Sequence, residues 1–185
     1  MVSSPLVRYD ADYYYGISDY RRSFKWLVEW GRIAVAIVDT LHPHSVLDAG
    51  CAHGMLVESL RDLGVEAFGI DISEYAISQA REDIKEFLRV RNLTERYFDQ
   101  YGLITCIEVM EHLTEPEGKI AVANLCKSTY SVLFSSTPND FTEPTHQNVQ
   151  PKEYWIGLFK ENGFKVAETY NARFISEWAF LVQKE

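Results

Sequence analysis

Short apolar runs alternate with segments of helical period along most of the chain. A short apolar run between turn residues is typical of a buried strand, and a longer segment with apolar residues three and four apart is typical of a helix. This pattern predicts strands at 45–49, 65–70, 88–90, 103–107, 130–135, 164–169 and 178–182. It predicts helices at 23–41, 55–63, 74–87, 115–126 and 151–162.

The alternation of strands and helices predicts an α/β fold. Its sheet is expected to be doubly wound, Rossmann-like and mostly parallel, with helices on both faces. The last two predicted strands depart from this rule, because only residues 170–177 separate them. A parallel connection needs a longer crossover, usually through a helix. The final strand is therefore predicted to be antiparallel.

The residues before the first strand differ in composition from the rest. Five tyrosines fall within the first twenty residues, and a predicted helix then runs to a stop at His42 and Pro43. We predict a single domain in which residues 1–44 form an N-terminal flank and residues 45–185 form a ligand-binding core. The first residues lack the charged-then-apolar layout of a secretory signal.

Composition and charge narrow the range of partners. The chain has 185 residues, and 18 lysines and arginines against 27 aspartates and glutamates give a net charge of −9. This balance disfavours nucleic acid and anionic membrane surfaces. No apolar stretch is long enough for a membrane span. Cys51, Cys106 and Cys126 are odd in number and lack metal-site spacing, so we expect free thiols in a reducing compartment, most simply the cytoplasm.

A turn of small residues follows the first predicted strand, beginning at Gly50 and ending at Gly54, where the next helix starts. Glycines at such a turn let the backbone approach a ligand closely. Asp71 ends the second strand about twenty residues further on, where an acid can accept the hydroxyls of a ribose. Together these features predict a site for an adenosine-containing ligand.

Asp48, just before the turn, indicates which kind of adenosine ligand is expected. The glycine spacing is not that of a dinucleotide fingerprint, and a carboxylate at Asp48 would repel a pyrophosphate. The same carboxylate suits a cationic amino-acid group. S-adenosylmethionine, which carries an ammonium and a sulfonium, fits this requirement.

Two segments carry a resemblance to class I S-adenosylmethionine-dependent methyltransferases. Residues 46–54 resemble the first motif of that superfamily, with Ala52 where glycine is commoner, and residues 68–73 resemble the second. The resemblance implies the class I methyltransferase fold, with the turn around the methionine part, Asp71 on the ribose and Ile72 on the adenine. The cofactor-binding residues implied in this way are Asp48, Gly50, Cys51, Ala52, Gly54, Asp71, Ile72 and Glu108.

A second group of polar residues follows the fourth predicted strand, within residues 99–113, which are similar to a further motif of the superfamily. Glu108, Glu111 and His112 have the spacing of one face of a helical turn. His146 follows the fifth strand and should reach the same edge of the sheet. Two carboxylates and two imidazoles can hold a divalent cation such as Mg²⁺, Mn²⁺ or Zn²⁺.

Three interpretations of this group stay open. The pattern resembles the metal site of methyltransferases that act on catechol precursors of ubiquinone or on the terminal 2′-hydroxyl of small RNAs, where the cation orients and acidifies the acceptor hydroxyl. Similar motifs occur in members that use no metal, where the first glutamate faces the cofactor. His146 or His112 can then act as a plain base, or proximity alone can suffice.

The tyrosine-rich flank also has two interpretations. The resemblance suggests a lid over cofactor and acceptor, to which Tyr14, Tyr20 or Arg21 contributes. The alternative is an aromatic surface that packs the first helix onto the sheet. For Trp26 and Trp30, four residues apart on that helix, we expect burial in the core or an interface rather than stacking on a substrate.

Taken together, these features predict a cytoplasmic methyltransferase that acts on a hydroxyl of a small molecule or a sugar. The chain has no insertion large enough for a substrate domain, and its charge disfavours long polyanions. One alternative is a metal-assisted RNA 2′-O-methyltransferase, which the four possible metal ligands favour and the net charge opposes. The other is a non-catalytic subunit that binds the cofactor and partners another methyltransferase.

Overall fold

Seven strands form one mixed sheet in the computed structural model, which describes residues 9–96 and 99–185. The strands are β1 (Ser45–Ala49), β2 (Glu66–Asp71), β3 (Leu88–Val90), β4 (Leu103–Ile107), β5 (Ser131–Ser135), β6 (Phe164–Val166) and β7 (Phe180–Lys184). Their order across the sheet is β3-β2-β1-β4-β5-β7-β6. The expectation about a secretory signal falls largely on residues 1–8, outside the described residues.

The strand directions confirm the predicted α/β fold. β1 pairs in parallel with β2 on one side and with β4 on the other, and β5 continues the parallel part. β7 is antiparallel to both β5 and β6, as the short connection predicts. The chain runs outward from β1 in both directions, so a crevice opens at the carboxyl ends of β1 and β4, where open α/β sheets bind ligands.

Helices cover both faces of the sheet. They are α1 (Phe24–Leu41), α2 (Met55–Asp62), α3 (Glu74–Ser78), α4 (Glu115–Ser128) and α5 (Lys152–Glu161). Ile37 of α1 and Leu60 of α2 belong to the core on one face, and Leu125 of α4 and Phe159 of α5 belong to the core on the other. Among the described helices, none has the length and apolar character that crossing a bilayer requires.

The helix predicted at 74–87 is interrupted. Ser73 caps α3 as expected, because its hydroxyl accepts the Ala76 N–H at 2.9 Å, but α3 ends at Ser78 and a separate 3₁₀ helix spans Glu82–Phe87. Arg81 breaks the segment with an extended backbone (φ −55°, ψ 136°). Its guanidinium contacts Asp62 and Asp83, both at 2.7 Å. The hydrophobic pattern of the sequence gives no sign of this break, because charged side chains stabilise it.

The last strand begins two residues later than predicted. β7 starts at Phe180, so Trp178 lies in the connection before it rather than within the sheet. Because Trp178 lies outside the strand, its side chain does not have to point to one face of the sheet or the other. It reaches the crevice at the end of β4, where it takes part in the site described next.

Candidate active site

A cavity of about 790 Å³ opens at the carboxyl ends of β1, β2 and β4. Seven of the eight residues predicted to bind a cofactor line it, and the eighth, Gly54 at the end of the turn, is not among the lining residues. Glu111, His112 and His146 line the same cavity. The structure therefore brings the two predicted groups of polar residues together in one space.

The glycine turn has the tight backbone that its sequence suggests. Gly50 has φ of +87° and Gly54 has φ of +67°, conformations that side chains disfavour. A Cβ at Gly50 would lie 2.8 Å from Val109 Cγ1 and closer still to Cγ2, and one at Gly54 would lie 2.8 Å from Leu88 Cδ1. Both positions are therefore restricted to glycine by backbone conformation and by packing.

Ala52, in the middle of the turn, adopts a left-handed backbone with φ of +45°. For a residue with a Cβ this conformation costs about 1 kcal/mol. Its N–H donates to Asp71 Oδ2 at 2.8 Å, a bond to a carboxylate that offsets the cost. Alanine is thus accommodated where the superfamily motif commonly has glycine.

Asp71 is held by backbone donors at the end of β2. Besides Ala52, Ser73 donates its N–H to Asp71 Oδ1 at 2.7 Å. Burial raises the pKa of Asp71 above its ordinary value, and the backbone hydrogen bonds oppose that rise. Ile72, next in the chain, is 55% exposed and offers the cavity an apolar surface. The pair supplies one oriented carboxyl and one apolar contact for a nucleoside.

Asp48 lies on β1 and is only 5% exposed. Thr105 of β4 donates its hydroxyl to Asp48 Oδ1 at 2.8 Å. Burial nevertheless raises the pKa of Asp48 to about 7. A cation placed beside it would favour the ionised form, so this carboxyl is suited to a positively charged ligand group.

Glu108 does not share a helical face with Glu111 and His112, so that prediction is wrong for this residue. The 3₁₀ helix spans only Met110–His112, and Glu108 precedes it with φ of +53°. Its carboxylate accepts the Trp178 indole N–H at 2.8 Å and the hydroxyl of Ser135. Glu108 is thereby directed toward the connection before β7.

Glu111, His112 and His146 form a compact group of three donors. One ligand atom from each lies within 4.8 Å of the others. Burial and the neighbouring Glu108 carboxylate raise the pKa of Glu111 well above its ordinary value. Burial lowers the pKa of His112 to about 4, so this imidazole is neutral near pH 7. A carboxylate and two imidazoles fit a divalent cation in number and in chemistry.

The loop after β5 adds polar residues that the motifs do not reveal. Glu143 lies between the two histidines, with its Oε2 3.4 Å from His146 Nε2. The other ring nitrogen of His146, Nδ1, lies 2.8 Å from the carbonyl oxygen of Asp140. The only signal in the sequence is the spacing of Glu143, three residues before His146.

The N-terminal flank lies against the cavity, and its action as a lid stays a prediction. Tyr13 and Tyr14 are buried, and Tyr14 packs its ring 4.5 Å from that of His53 in the glycine turn. Both tyrosines and Tyr20 also line the cavity. Arg21 lies apart, in a surface ion pair with Asp19.

Trp26 and Trp30 differ from their expectation. Both are partly buried, and Trp30 packs against the core under α1. Both rings also line the cavity. The predicted burial of the two tryptophans is confirmed in part. Their rings are in addition exposed to the cavity.

Comparisons with known proteins agree with this geometry. A family model described as "Methyltransferase domain" matches residues 31–169. The chain is 24% identical over 148 residues to the ubiquinone biosynthesis O-methyltransferase of Methylococcus capsulatus, covering 76% of this chain and 62% of that protein. It is 31% identical over 130 residues to the protein of the same name from Thiobacillus denitrificans, covering 64% of this chain and 56% of that protein.

A solved structure with a similar fold is the magnesium protoporphyrin IX methyltransferase from Synechocystis with bound S-adenosylmethionine. The TM-score is 0.68 at 20% identity, and the match covers 94% of both chains. At this identity the likeness concerns the fold. The chain spans 62% and 56% of the length of the two ubiquinone biosynthesis O-methyltransferases and nearly all of the Synechocystis protein.

Proposed function

Because this chain belongs to the methyltransferase domain family and has the class I methyltransferase fold, we propose that it transfers a methyl group from S-adenosylmethionine to a hydroxyl oxygen of a small molecule or a sugar. The observation that carries the proposal is the cavity shared by two groups of residues. Asp48 and Asp71 suit the cofactor, and Glu111, His112 and His146 suit a hydroxyl acceptor.

The cofactor is proposed to lie along the glycine turn. The ammonium of its methionine part would meet the buried Asp48 carboxyl, and the ribose hydroxyls would meet Asp71. Ile72 would cover the adenine with its exposed side chain. The sulfonium would then face the second group of residues across the cavity.

The reaction needs little beyond alignment and removal of one proton. The acceptor oxygen forms a bond to the methyl carbon as the carbon–sulfur bond breaks, and the sulfonium becomes the neutral thioether of S-adenosylhomocysteine. The hydroxyl proton leaves to a base and then to solvent. When no cation is bound, His146 is the proposed base, because the His112 imidazole, whose pKa burial lowers to about 4, is a weak one. When His146 ligates a cation, the proton leaves to a water molecule instead.

A divalent cation (Mg²⁺, Mn²⁺ or Zn²⁺) at Glu111, His112 and His146 is part of the proposal. A neutral imidazole at His112 is the form that ligates, and Glu111 is a buried carboxyl that a cation would keep ionised. When bound, such a cation would polarise the acceptor hydroxyl and ease the loss of its proton. Without it, the same residues can still position the acceptor.

The charge of the cavity favours a small acceptor over RNA. Seven carboxyl groups and a single arginine, Arg91, are found among the described residues that line it. RNA binding normally uses several lysines and arginines against the phosphates. An RNA 2′-hydroxyl is thus the second candidate, and the experiment below includes it.

We place the protein in the cytoplasm as part of this proposal. Cys51, Cys106 and Cys126 are free and buried, which suits a reducing compartment. The N-terminal flank and the loop around His146 are proposed as the parts that choose the acceptor.

Calorimetry with S-adenosylhomocysteine, followed by transfer of a radiolabelled methyl group, tests the function. The acceptors are a panel of catechols and sugars and a small RNA, each with EDTA and after adding back Mg²⁺, Mn²⁺ or Zn²⁺. We expect micromolar binding and methylation of a small acceptor that EDTA abolishes. Absence of binding at millimolar S-adenosylhomocysteine would overturn the function. Activity that is insensitive to EDTA would overturn the cation, and methylation of the RNA alone would favour the second candidate.

A further inference from the structure

Glu143 connects the N-terminal flank to both histidines. Its Oε1 accepts the Tyr13 hydroxyl at 3.0 Å and the hydroxyl of Thr145, and its Oε2 faces His146. Thr145 in turn lies 2.9 Å from His112 Nδ1 through its hydroxyl oxygen. A single carboxylate thus joins Tyr13 of the flank to Thr145 and His146 of its own loop.

The direction of these hydrogen bonds fixes a proton. A hydroxyl has one hydrogen, and the carboxylate of Glu143 can only accept, so the Thr145 hydrogen points to Glu143. The Thr145 oxygen can then only accept from His112, which places a proton on His112 Nδ1. A neutral imidazole carries its proton on one ring nitrogen, so with Nδ1 protonated the lone pair lies on Nε2.

We propose that Glu143 is a positioning residue that fixes the tautomer of His112 through Thr145, and that Tyr13 holds Glu143 in place for this purpose. The inference rests on the proposed function, since an acceptor or a cation needs an imidazole with a free Nε2. In the other tautomer Nε2 would carry the proton and could neither ligate nor accept. Glu143 itself need not touch the acceptor.

The flank is placed to couple this arrangement to the cofactor side of the cavity. The Tyr9 carbonyl oxygen accepts the Ser73 hydroxyl, and Ser73 also donates its N–H to Asp71. Four residues later Tyr13 reaches Glu143. One short segment therefore contacts the predicted ribose site and the histidine site together, so covering the cavity and fixing the His112 tautomer are expected to occur together.

Long-range ¹H–¹⁵N spectra of histidine-labelled protein with S-adenosylhomocysteine test the proposal. We expect His112, assigned by the signals missing in His112→Asn, to show one tautomer with Nδ1 protonated. Thr145→Val and Glu143→Leu should move both of its nitrogen shifts toward tautomer averaging, and Thr145→Ser should restore the native shifts. Thr142→Val is the matched control, because Thr142 is exposed in the same loop and its hydrogen bonds to described residues go to Asp140 rather than to Glu143 or His112.

Tyr13→Phe should shift the same signals in the same direction by a smaller amount, because Thr145 still bonds to Glu143. Tyr15→Phe, in the same helical turn but outside the cavity lining, should not. Native His112 shifts in both Thr145→Val and Glu143→Leu would overturn the proposal, as would an equal change in Thr142→Val. If Thr145→Val fails to fold, Glu143→Leu decides.

These spectra are recorded without methyl transfer. Failure to methylate any acceptor would therefore count against the proposed function, while the tautomer result would stand on its own.

Discussion

On one side of the cavity, two backbone N–H groups hold the Asp71 carboxylate. One belongs to Ala52 in the glycine turn, and the other belongs to Ser73 just after β2. On the other side, side chains hold Glu143, and its partner Tyr13 is 130 residues away in the chain. Backbone donors persist when a side chain is replaced, whereas a bond between two side chains is lost with either. Most single substitutions on the cofactor side should therefore leave its hydrogen bonds intact. On the acceptor side, a single substitution should be enough to remove a hydrogen bond and alter the site.

His146→Ala is expected to have the largest effect and to separate the two sides. Removing this imidazole should lower methyl transfer by about 100-fold or more, because the site loses either its base or one of the three cation ligands. S-adenosylhomocysteine affinity should stay within about twofold, since the described partners of His146 are Asp140, Glu143 and His112 rather than residues of the glycine turn. Calorimetry and turnover measure the two effects, and His44→Ala at an exposed loop position is the control. A parallel loss of affinity would show that the two sides are not independent.

Gly50→Ala should be the most damaging change on the cofactor side. Its Cβ would overlap the Val109 side chain, with Cγ1 only 2.8 Å away, so either the turn or the end of β4 must move. We expect S-adenosylhomocysteine affinity to fall at least about tenfold and stability by about 1–3 kcal/mol. Gly64→Ala shares a positive φ, +84°, but has nothing within 4 Å of the added Cβ. It should cost about 1 kcal/mol and leave affinity unchanged. Equal effects on affinity would refute the packing argument.

Asp48→Asn tests the charge on the cofactor side through pH. The folded-state pKa of Asp48 is raised to about 7 from an ordinary 3.8, so its contribution to stability is present below pH 3.8 and is lost as pH rises through about 7. Without ligand, Asp48→Asn should therefore be more stable than the native protein at pH 8 and lose that advantage near pH 4. Because each tenfold change in proton affinity corresponds to about 1.4 kcal/mol, the gain at pH 8 is a few kcal/mol. Urea unfolding at the two pH values measures it.

The same variant should change how ligand binding depends on pH. A cationic ligand favours ionised Asp48, so native affinity for S-adenosylmethionine should rise between pH 6 and pH 8. Asp48→Asn should bind several-fold more weakly at pH 8, with a flat profile. Calorimetry at several pH values measures this, and a native profile that is equally flat would contradict the role given to Asp48.

Trp178→Phe should have the smallest effect, and it tests on which side of the cavity Glu108 acts, since this residue was predicted both to bind the cofactor and to hold a cation. The change keeps a ring but removes the indole N–H that Glu108 accepts, a bond worth about 1 kcal/mol. We expect kcat/KM for the acceptor to fall about fivefold with little change in cofactor affinity. Ser176→Ala, which alters a neighbour of Ser135 without touching Glu108, serves as the comparison. A larger loss in cofactor binding than in turnover would show that Glu108 acts on the cofactor side of the cavity.

The same contrast explains what the sequence could predict. β1, the glycine turn and Asp71 follow from local spacing, because their contacts are backbone contacts between adjacent strands. The break at Arg81 could not be seen, since it depends on carboxylates brought close by folding. The placement of Glu108 failed for a related reason. Its backbone leaves the helical region, and its carboxylate is bonded to Trp178, 70 residues later.

The position of β7 between β5 and β6 affects the order in which parts of the sheet can form during synthesis on the ribosome. β7 leaves the ribosome after β6 but lies between β5 and β6 in the sheet. Until it emerges, β6 has no described partner strand, and the edge of β5 stays open to pairing with other chains. The turn, Asp48 and Asp71 already lie in the nascent chain at that stage. We therefore expect a nascent protein to acquire its cofactor side first, and to gain the indole that orients Glu108 only after Trp178 has emerged.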